Sequence, residues 1–402
     1  MKLRSLLLIL SFFFTTCHHS KQTTKNDSYE EEFFSSREGI TYYPIKNNKI
    51  SVDLDNPQKA SLYDYFKHIE LIPLETNDNV LIGRLMKILV YKNMFYTFDA
   101  HQNSVYIFND TGKFVSKISK RGIGPGEYLS LNDISINTFC DNIDFLNSSG
   151  YIYSYDLSGN HIKTVYIADS VLLAVHNLIS ISESVYVFYA MFLEDHIIYY
   201  NLDENKILNK KYNECAFASV FNNSSPFYEY NEQIFFYRYF DNVTYELRDG
   251  TLVKAYKWDF GRNEYDVNKM YFSKEDFRNI KTLIEAANSR IPYSINLQGQ
   301  NNRYIFVHLY FQFNLNRNLI PTGNLIFDKL NQECKFIKDF EEGISFRPEV
   351  VTNEYVLSYC THEELEKYVK KEMLDKDNLQ KFEKLLNTQE EENPIIIKYF
   401  LK

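Results

Sequence analysis

The sequence predicts an all-β protein, a six-bladed β-propeller with N-/C-terminal strand closure and two short helical insertions. Three observations carry this prediction: an aromatic unit ending in a turn that recurs at a near-constant interval, short strand-like runs between its copies, and two terminal runs able to close a ring. The unit reads VYIFNDTGKFV from Val105 to Val115 and IYSYDLSGNHI from Ile152 to Ile162, with weaker copies at Tyr199–Ile207, Thr244–Val253 and Leu325–Glu333. Phe108, Tyr155, Tyr200 and Tyr245 are spaced by 47, 45 and 45 residues, and Phe327 follows 82 residues later, one period plus an insertion of 37. A repeat of roughly 40–50 residues built from about four strands is the signature of a propeller blade.

The first blade can be followed strand by strand as Met86–Tyr91, Met94–Asp99, Ser104–Phe108 and Phe114–Ile118, each short, rich in β-branched or aromatic residues and bounded by turn residues. Between the last two runs, Asn109-Asp110-Thr111-Gly112 reads as a hairpin turn, since the Asn side chain can bond the backbone ahead and Gly takes positive φ without penalty. The second blade repeats the pattern as Ile134–Asn137, Ile143–Asn147, Tyr151–Tyr155 and His161–Ile167. The third blade shows Ser184–Tyr189 and Ile197–Leu202, the fourth Gln233–Tyr239 and Val243–Leu247, and the fifth Tyr304–Tyr310 and Asn324–Asp328. A sixth combines Glu354–Tyr359 with the last run, Pro394–Phe400, and needs one more strand. The supplier is the N-terminal run His68–Leu74, because a ring of blades closes when one blade draws strands from both chain ends and so pairs edges that would otherwise template aggregation.

Two segments depart from strand periodicity. Ser273 to Asp276 opens a stretch, about 273–290, with Phe277, Ile280, Ile284 and Ala287 at helical spacing. The second, about 361–390, begins with Thr361-His362-Glu363-Glu364, a capping-box pattern ahead of Leu365, Tyr368, Val369 and Met373. Both are expected to be helices lying over a propeller face and covering apolar strand ends.

The start of the chain reads as a processing signal over residues 1–17: Lys2 and Arg4, an apolar stretch from Ser5 to Phe14 too short to span a bilayer, then Thr15-Thr16-Cys17. Cys17 after two small residues resembles the lipobox of bacterial lipoproteins, in which the cysteine is acylated and becomes the mature N-terminus. Phe14 stands where that pattern usually has Leu, and the alternative is an ordinary secretory signal cut near Thr16. Residues 18–49 are polar and uneven, with an acidic run at Glu30-Glu31-Glu32, and read as a flexible tether; the propeller then occupies 50–402.

Lys and Arg total 44 against 53 Asp and Glu, and this net charge of −9 argues against nucleic acid as a partner. The 33 Tyr and 32 Phe suit a strand-rich core and could also furnish stacking surfaces for sugars or peptides. Besides Cys17, the cysteines Cys140, Cys215, Cys334 and Cys360 form no CxxC pair, so no zinc or redox site is indicated; they are read as disulfide-capable in an oxidising compartment or as buried free thiols.

Between the first two blades lies Arg121-Gly122-Ile123-Gly124-Pro125-Gly126-Glu127-Tyr128, whose glycines fit neither a Walker phosphate loop nor the dinucleotide fingerprint. Together with Ile72-Pro73-Leu74-Glu75-Thr76, Ile82-Gly83-Arg84 and the terminal Asn393-Pro394 strand, this loop resembles the six-bladed β-propeller lipoproteins of gut Gram-negative anaerobes, relatives of the NHL-repeat propellers. The resemblance extends over about residues 50–402 and implies a fold and an envelope location, lipid-anchored in the periplasm or outer membrane. It supplies no catalytic positions.

No GxSxG elbow, HExxH helix, EF-hand loop or Cys/His cluster occurs, so no catalytic residue, cofactor or metal site is assigned. Asp99 with His101, or Glu127 with Asp133, are the pairs that could do acid/base work. The expected function is therefore non-enzymatic: an envelope lipoprotein binding a ligand, or an unidentified envelope protein, peptide or carbohydrate, where the inner strands converge. The alternative is a propeller enzyme, a hydrolase or lyase, acting on a carbohydrate or peptide at the axial funnel. The candidate ligand-binding residues are Arg121 as an anion clamp, Glu127 as an acceptor of hydroxyls, Tyr128 as a stacking ring, and Asp133 beside them; Arg121 and Glu127 alternatively pair to brace the loop.

Overall fold

The computed structural model describes residues 44–167, 175–190, 195–213, 225–238, 241–248, 250–265, 293–311, 322–387 and 392–402. Six separate sheets are formed by the described residues, each with four antiparallel strands, the blades of a propeller. Blade one is Leu85–Tyr91, Met94–Asp99, Ser104–Asn109 and Phe114–Ile118, counted from the innermost strand outward. Blade two is Asp133–Asn137, Asn142–Leu146, Tyr151–Asp156 and His161–Tyr166. Blade three adds Val175–Ser180 and Lys206–Asn213 to the expected central pair, now Val185–Ala190 and Asp195–Asn201. Blade four is Phe227–Tyr230, Gln233–Phe236, Val243–Arg248 and Thr251–Asp259. Blade five is Tyr293–Gln300, Tyr304–Phe311, Thr322–Asp328 and Glu333–Ile337.

Blade six closes the ring from both chain ends. Val350–Val351, Tyr355–Cys360 and Ile395–Leu401 come from the C-terminal part, and Phe66–Pro73 supplies the outer strand, with Ile69 opposite Tyr399 and Leu71 opposite Ile397. The short strand Lys49–Ser51, unsuspected from the sequence, adds a fifth strand to blade four, parallel to Lys257–Asp259. It covers that blade's outer edge.

Alternate residues of a strand face opposite sides of its sheet, so each blade can pack against both neighbours. The core divides accordingly into six apolar clusters, one per blade junction. Ile72, Leu357 and Ile396 of blade six meet Phe95, Tyr106 and Phe108 of blade one. Ile107 and Phe98 meet Ile134 and Tyr155 at the next junction. Leu146 and Ile152 then meet Phe188 and Tyr200, and Tyr189 and Tyr199 meet Phe227 and Phe236. Trp258 and Tyr256 meet Ile295 and Ile305, and Phe306 and Ile326 meet Val356 and Tyr399. The aromatics that define the sequence period are the third-strand members of these contacts, which is why they recur.

The repeated turn also works between blades. Asn109 Oδ1 accepts from the backbone N–H groups of Thr111 and Lys113 at 3.0 and 2.9 Å, and Gly112 sits at φ +83°. A Cβ on Gly112 would lie 2.3 Å from the Pro73 carbonyl oxygen, so glycine also lets this turn press against the outer strand of the preceding blade. Gly159 holds the same place against Ile118, at φ +85°.

The expected helical segment 361–390 is broken. Thr361 makes no capping bond; single turns at His362–Glu364, Leu365–Tyr368 and Lys371–Met373 precede a longer helix, Lys376–Leu386, capped by Asp375, whose side chain accepts from the Asn378 N–H at 2.8 Å. The four apolar residues Leu365, Tyr368, Val369 and Met373 are all buried as their spacing predicts. The longer helix packs beside blade six rather than over a propeller face: Asn378 Oδ1 accepts from the Leu71 N–H at 2.9 Å and Lys381 Nζ donates to the Leu71 carbonyl at 3.0 Å, which pairs both backbone groups of Leu71 on the outer strand's free edge. The other expected helix, 273–290, lies outside the described residues, as do residues 1–17, the tether as far as residue 43, and Cys215. Cys140, Cys334 and Cys360 are free thiols; Cys140 is exposed in a turn, not buried, and Cys360 is buried at the end of its strand.

Candidate functional site: the axial channel

The innermost strands of all six blades surround a cavity of about 320 Å³. Most of its wall is apolar, including Ile88, Leu178, Leu297 and Val350, because these strands are themselves packed between two neighbours. Three charged side chains interrupt it: Lys87 of blade one, Glu229 of blade four, and Glu349, just before the inner strand of blade six.

Lys87 is locked. Its ammonium donates to Asp133 Oδ1 and to the Ile134 carbonyl, both at 2.8 Å, and Asp133 is 2 % exposed. Asp133 Oδ2 accepts from the Leu178 N–H at 3.1 Å and from Asn177 Nδ2 at 3.3 Å, so one carboxylate joins blades one, two and three. Burial pushes the Asp133 carboxyl up, and the Lys87 ammonium opposes that push. Glu349 is likewise held, by Arg347 Nη2 at 2.8 Å; burial pushes its carboxyl up against the pull of that guanidinium. Behind this pair, burial and the Arg347 charge bring the imidazole of His308 down to about 3, so it stays neutral.

Glu229 differs. Its carboxylate makes no hydrogen bond or ion pair among the described residues, and burial alone pushes it above the usual carboxylate range. The residue is nevertheless exposed to solvent at the cavity.

The four residues singled out from the sequence separate into two places. Asp133 belongs to the channel wall through Lys87. Arg121, Glu127 and Tyr128 belong to the loop between blades one and two, where Arg121 and Tyr128 form a backbone bridge. Tyr128 is 1 % exposed, packed edge-on to Phe145 and Tyr153, with its oxygen accepting from the Lys120 N–H at 3.2 Å and its phenol pushed up to about 12 by burial. Its ring therefore serves the core and offers no face for stacking. Glu127 accepts from the Gly124 N–H at 2.8 Å, folding the loop on itself, and Arg121 is exposed. The loop is folded tightly at its glycines: a Cβ on Gly122 would meet Glu127 Oε2 at 2.0 Å, which that exposed side chain can yield, whereas one on Gly126, at φ +72°, would meet the His161 ring at 2.6 Å.

The acid/base pairs also resolve into structure. Asp99 is fully buried and accepts four backbone N–H groups, from Gly83, Arg84, His101 and Gln102, at 2.7–3.2 Å. Glu127 and Asp133 share no partner. Asp144, also buried, accepts from Ser154 Oγ at 2.5 Å and Tyr186 OH at 2.6 Å, a link between blades two and three. Among the described residues no group of His, Cys, Asp and Glu is arranged to hold a metal ion, and no helix is long and apolar enough to cross a membrane.

Sequence reasoning missed Lys87, Glu229 and Glu349. The signal for Glu229 was a carboxylate inside the aromatic run Phe227-Tyr228-Glu229-Tyr230, which is the inner strand of blade four.

Fold and cavity together define a six-bladed propeller with an axial channel of ligand size. The chain belongs to the family described as Domain of unknown function (DUF4934), which matches residues 19–400. Among solved structures it is similar to a protein of Bacteroides fragilis provisionally described as exported, at 17% identity and a TM-score of 0.65, covering 88% of this chain and 98% of that one. It is also similar to a member of the DUF4221 family from Bacteroides vulgatus, at 10% identity and a TM-score of 0.54, covering 84% and 97%. At these identities the likeness concerns the fold. No curated protein matches the chain.

Proposed function

We propose that this protein is a non-enzymatic binding propeller of the bacterial cell envelope, anchored to a membrane by a lipid on Cys17, and that it holds its ligand in the axial channel. The observation that carries the reading is the cavity of about 320 Å³ walled by every blade, a size within the usual range of small-molecule sites. Its Lys87 and Glu349 are committed to ion pairs, which leaves Glu229 as the charged group of the described lining that has no described partner. The envelope location is supported by the charged-apolar-small pattern ending at Cys17 and by the export description given to the Bacteroides fragilis relative. An envelope protein, peptide or carbohydrate could present the bound group.

The channel can be tested with Thr138→Trp, which adds a large ring at an exposed position of the lining. Protein purified from its own envelope is denatured and the released compounds are identified by mass spectrometry. A compound retained by the wild type and by Arg121→Ala, but lost from Thr138→Trp, supports the channel. Equal retention by wild type and Thr138→Trp refutes it, and loss from Arg121→Ala alone would move the site to the loop. For the anchor, Cys17→Ala is expected to leave the membrane fraction, because stable anchoring needs acyl chains; retention there would refute lipidation.

A further inference from the structure

We infer that the axial channel binds an organic cation, an amine carried on an apolar stem, with Glu229 as its counter-ion. The inference rests on reading the channel as the binding site and adds the chemical class of what enters it.

The charge balance of the wall comes first. Lys87 is neutralised by Asp133 at 2.8 Å and Glu349 by Arg347 at 2.8 Å. Glu229 is left with no counter-charge among the described residues, so the lining holds one uncompensated negative charge. Glu229 is exposed at the cavity, and a cation arriving along the axis supplies the partner that no described residue provides.

The fold does not need this carboxylate. Glu229 faces Ile234 across the inner hairpin of blade four, five residues on. Val90 faces Phe95 in blade one, and Val351 faces Val356 in blade six, at the same rung. All three line the cavity. Where two blades place valine, blade four places Glu229, and burial pushes that carboxyl up. Blade five places Gln300 at this rung, facing Ile305, so the rung takes polar and apolar residues alike and no described contact fixes a carboxylate at 229.

The rest of the wall fits the stem of such a ligand. Phe227, Tyr228 and Tyr237 line the cavity on the side of Glu229; Phe227 and Tyr237 are packed into the blade junctions and Tyr228 is stacked on Phe235, so they add apolar wall and not open ring faces. Opposite them, Ile88 and Ile136 present hydrocarbon. A dicarboxylate or phosphate would meet Glu229 with like charge and find Lys87 already occupied.

The test is calorimetric titration of the folded protein with pentylamine, with pentanoate of the same length, and with the capped peptide Gly-Lys-Gly. Wild type is expected to bind pentylamine and to ignore pentanoate, and Glu229→Gln to weaken pentylamine at least about tenfold, the loss of one charge-assisted contact. Circular dichroism checks that the variant is folded. If the peptide binds as well as pentylamine, the amine is a lysine side chain of a partner; if only pentylamine binds, it is a free amine. Both outcomes keep Glu229 as the counter-ion. Pentanoate binding as tightly, an unchanged affinity in Glu229→Gln, or no binding of any probe would overturn the inference. A compound still lost from Thr138→Trp in the envelope experiment would then leave the channel reading standing without it.

Discussion

Replacing Asn393 by Ala removes the side chain that fastens the ring where its two ends meet. Asn393 is 1 % exposed and lies two residues before the closing strand. Its Oδ1 accepts from the Ile82 N–H at 2.7 Å, and its Nδ2 donates to the carbonyls of Glu75 at 2.7 Å and Val80 at 2.8 Å. Alanine leaves all three backbone groups without that partner, two of them in fully buried bonds. A buried polar group left unpaired costs about 1–3 kcal/mol; the Val80 carbonyl keeps a long bond from the Asn77 N–H at 3.4 Å and the less buried Glu75 carbonyl finds water, so the expected loss is about 2–4 kcal/mol. That is a large share of the roughly 5–15 kcal/mol available to a folded domain. Trp258 is the protein's single tryptophan, buried at the junction of blades four and five with its indole N–H donating to Gln298 at 3.0 Å. Its fluorescence during urea unfolding reports on a part of the ring remote from the fastening. The Trp258 transition should move to lower urea by the full amount, because opening one junction exposes the edges of the whole ring. A shift worth less than about 1 kcal/mol would refute the reasoning. Removing the last ten residues, Asn393 to Lys402, takes away the closing strand as well and should yield insoluble or protease-sensitive protein.

Two further outcomes follow from the same geometry. Gly112→Ala forces a side chain onto φ +83° and a Cβ to 2.3 Å from the Pro73 oxygen, and should cost about 2–4 kcal/mol, whereas Gly250→Ala, at φ +71° with nothing within 4 Å, should cost only about 1–2 kcal/mol; equal costs in thermal unfolding would refute the packing role. His308 is held near 3 in the folded chain against 6.5 when exposed, so the unfolded state takes up its proton first; its contribution to stability is complete above pH 6.5 and is lost as pH falls towards 3. His308→Gln should therefore flatten that part of the stability profile by up to a few kcal/mol, and a variant profile parallel to wild type would refute it.

The elements readable from sequence are those in which local chemistry and ring geometry demand the same residues. Phe108, Tyr155, Tyr200, Tyr245 and Phe327 all fall on third strands, where one face must fill a blade junction, and the turn after Phe108 needs both an Asx side chain and a glycine. Inner strands are harder to read. Phe227–Tyr230 and Val350–Val351 are too short to show alternation, and Lys49–Ser51 is a strand only because blade four offers it an edge. Thr361 has the pattern of a cap without the bond, since the chain turns again before a longer helix can start at Asp375.

The site was half legible for a related reason. Asp133 could be suspected as a carboxylate at a strand start, but its role depends on Lys87, which is 46 residues earlier, and on Leu178, which is 45 residues later. The Asp144 to Tyr186 bond spans 42. Each separation is close to one repeat, because a propeller sets residues one period apart against each other across a junction. The repeat length is therefore also a rule for contacts. Applied along the inner strands, it pairs Lys87 with Asp133, while the register of the inner hairpins sets Val90, Gln300 and Val351 at the rung of Glu229.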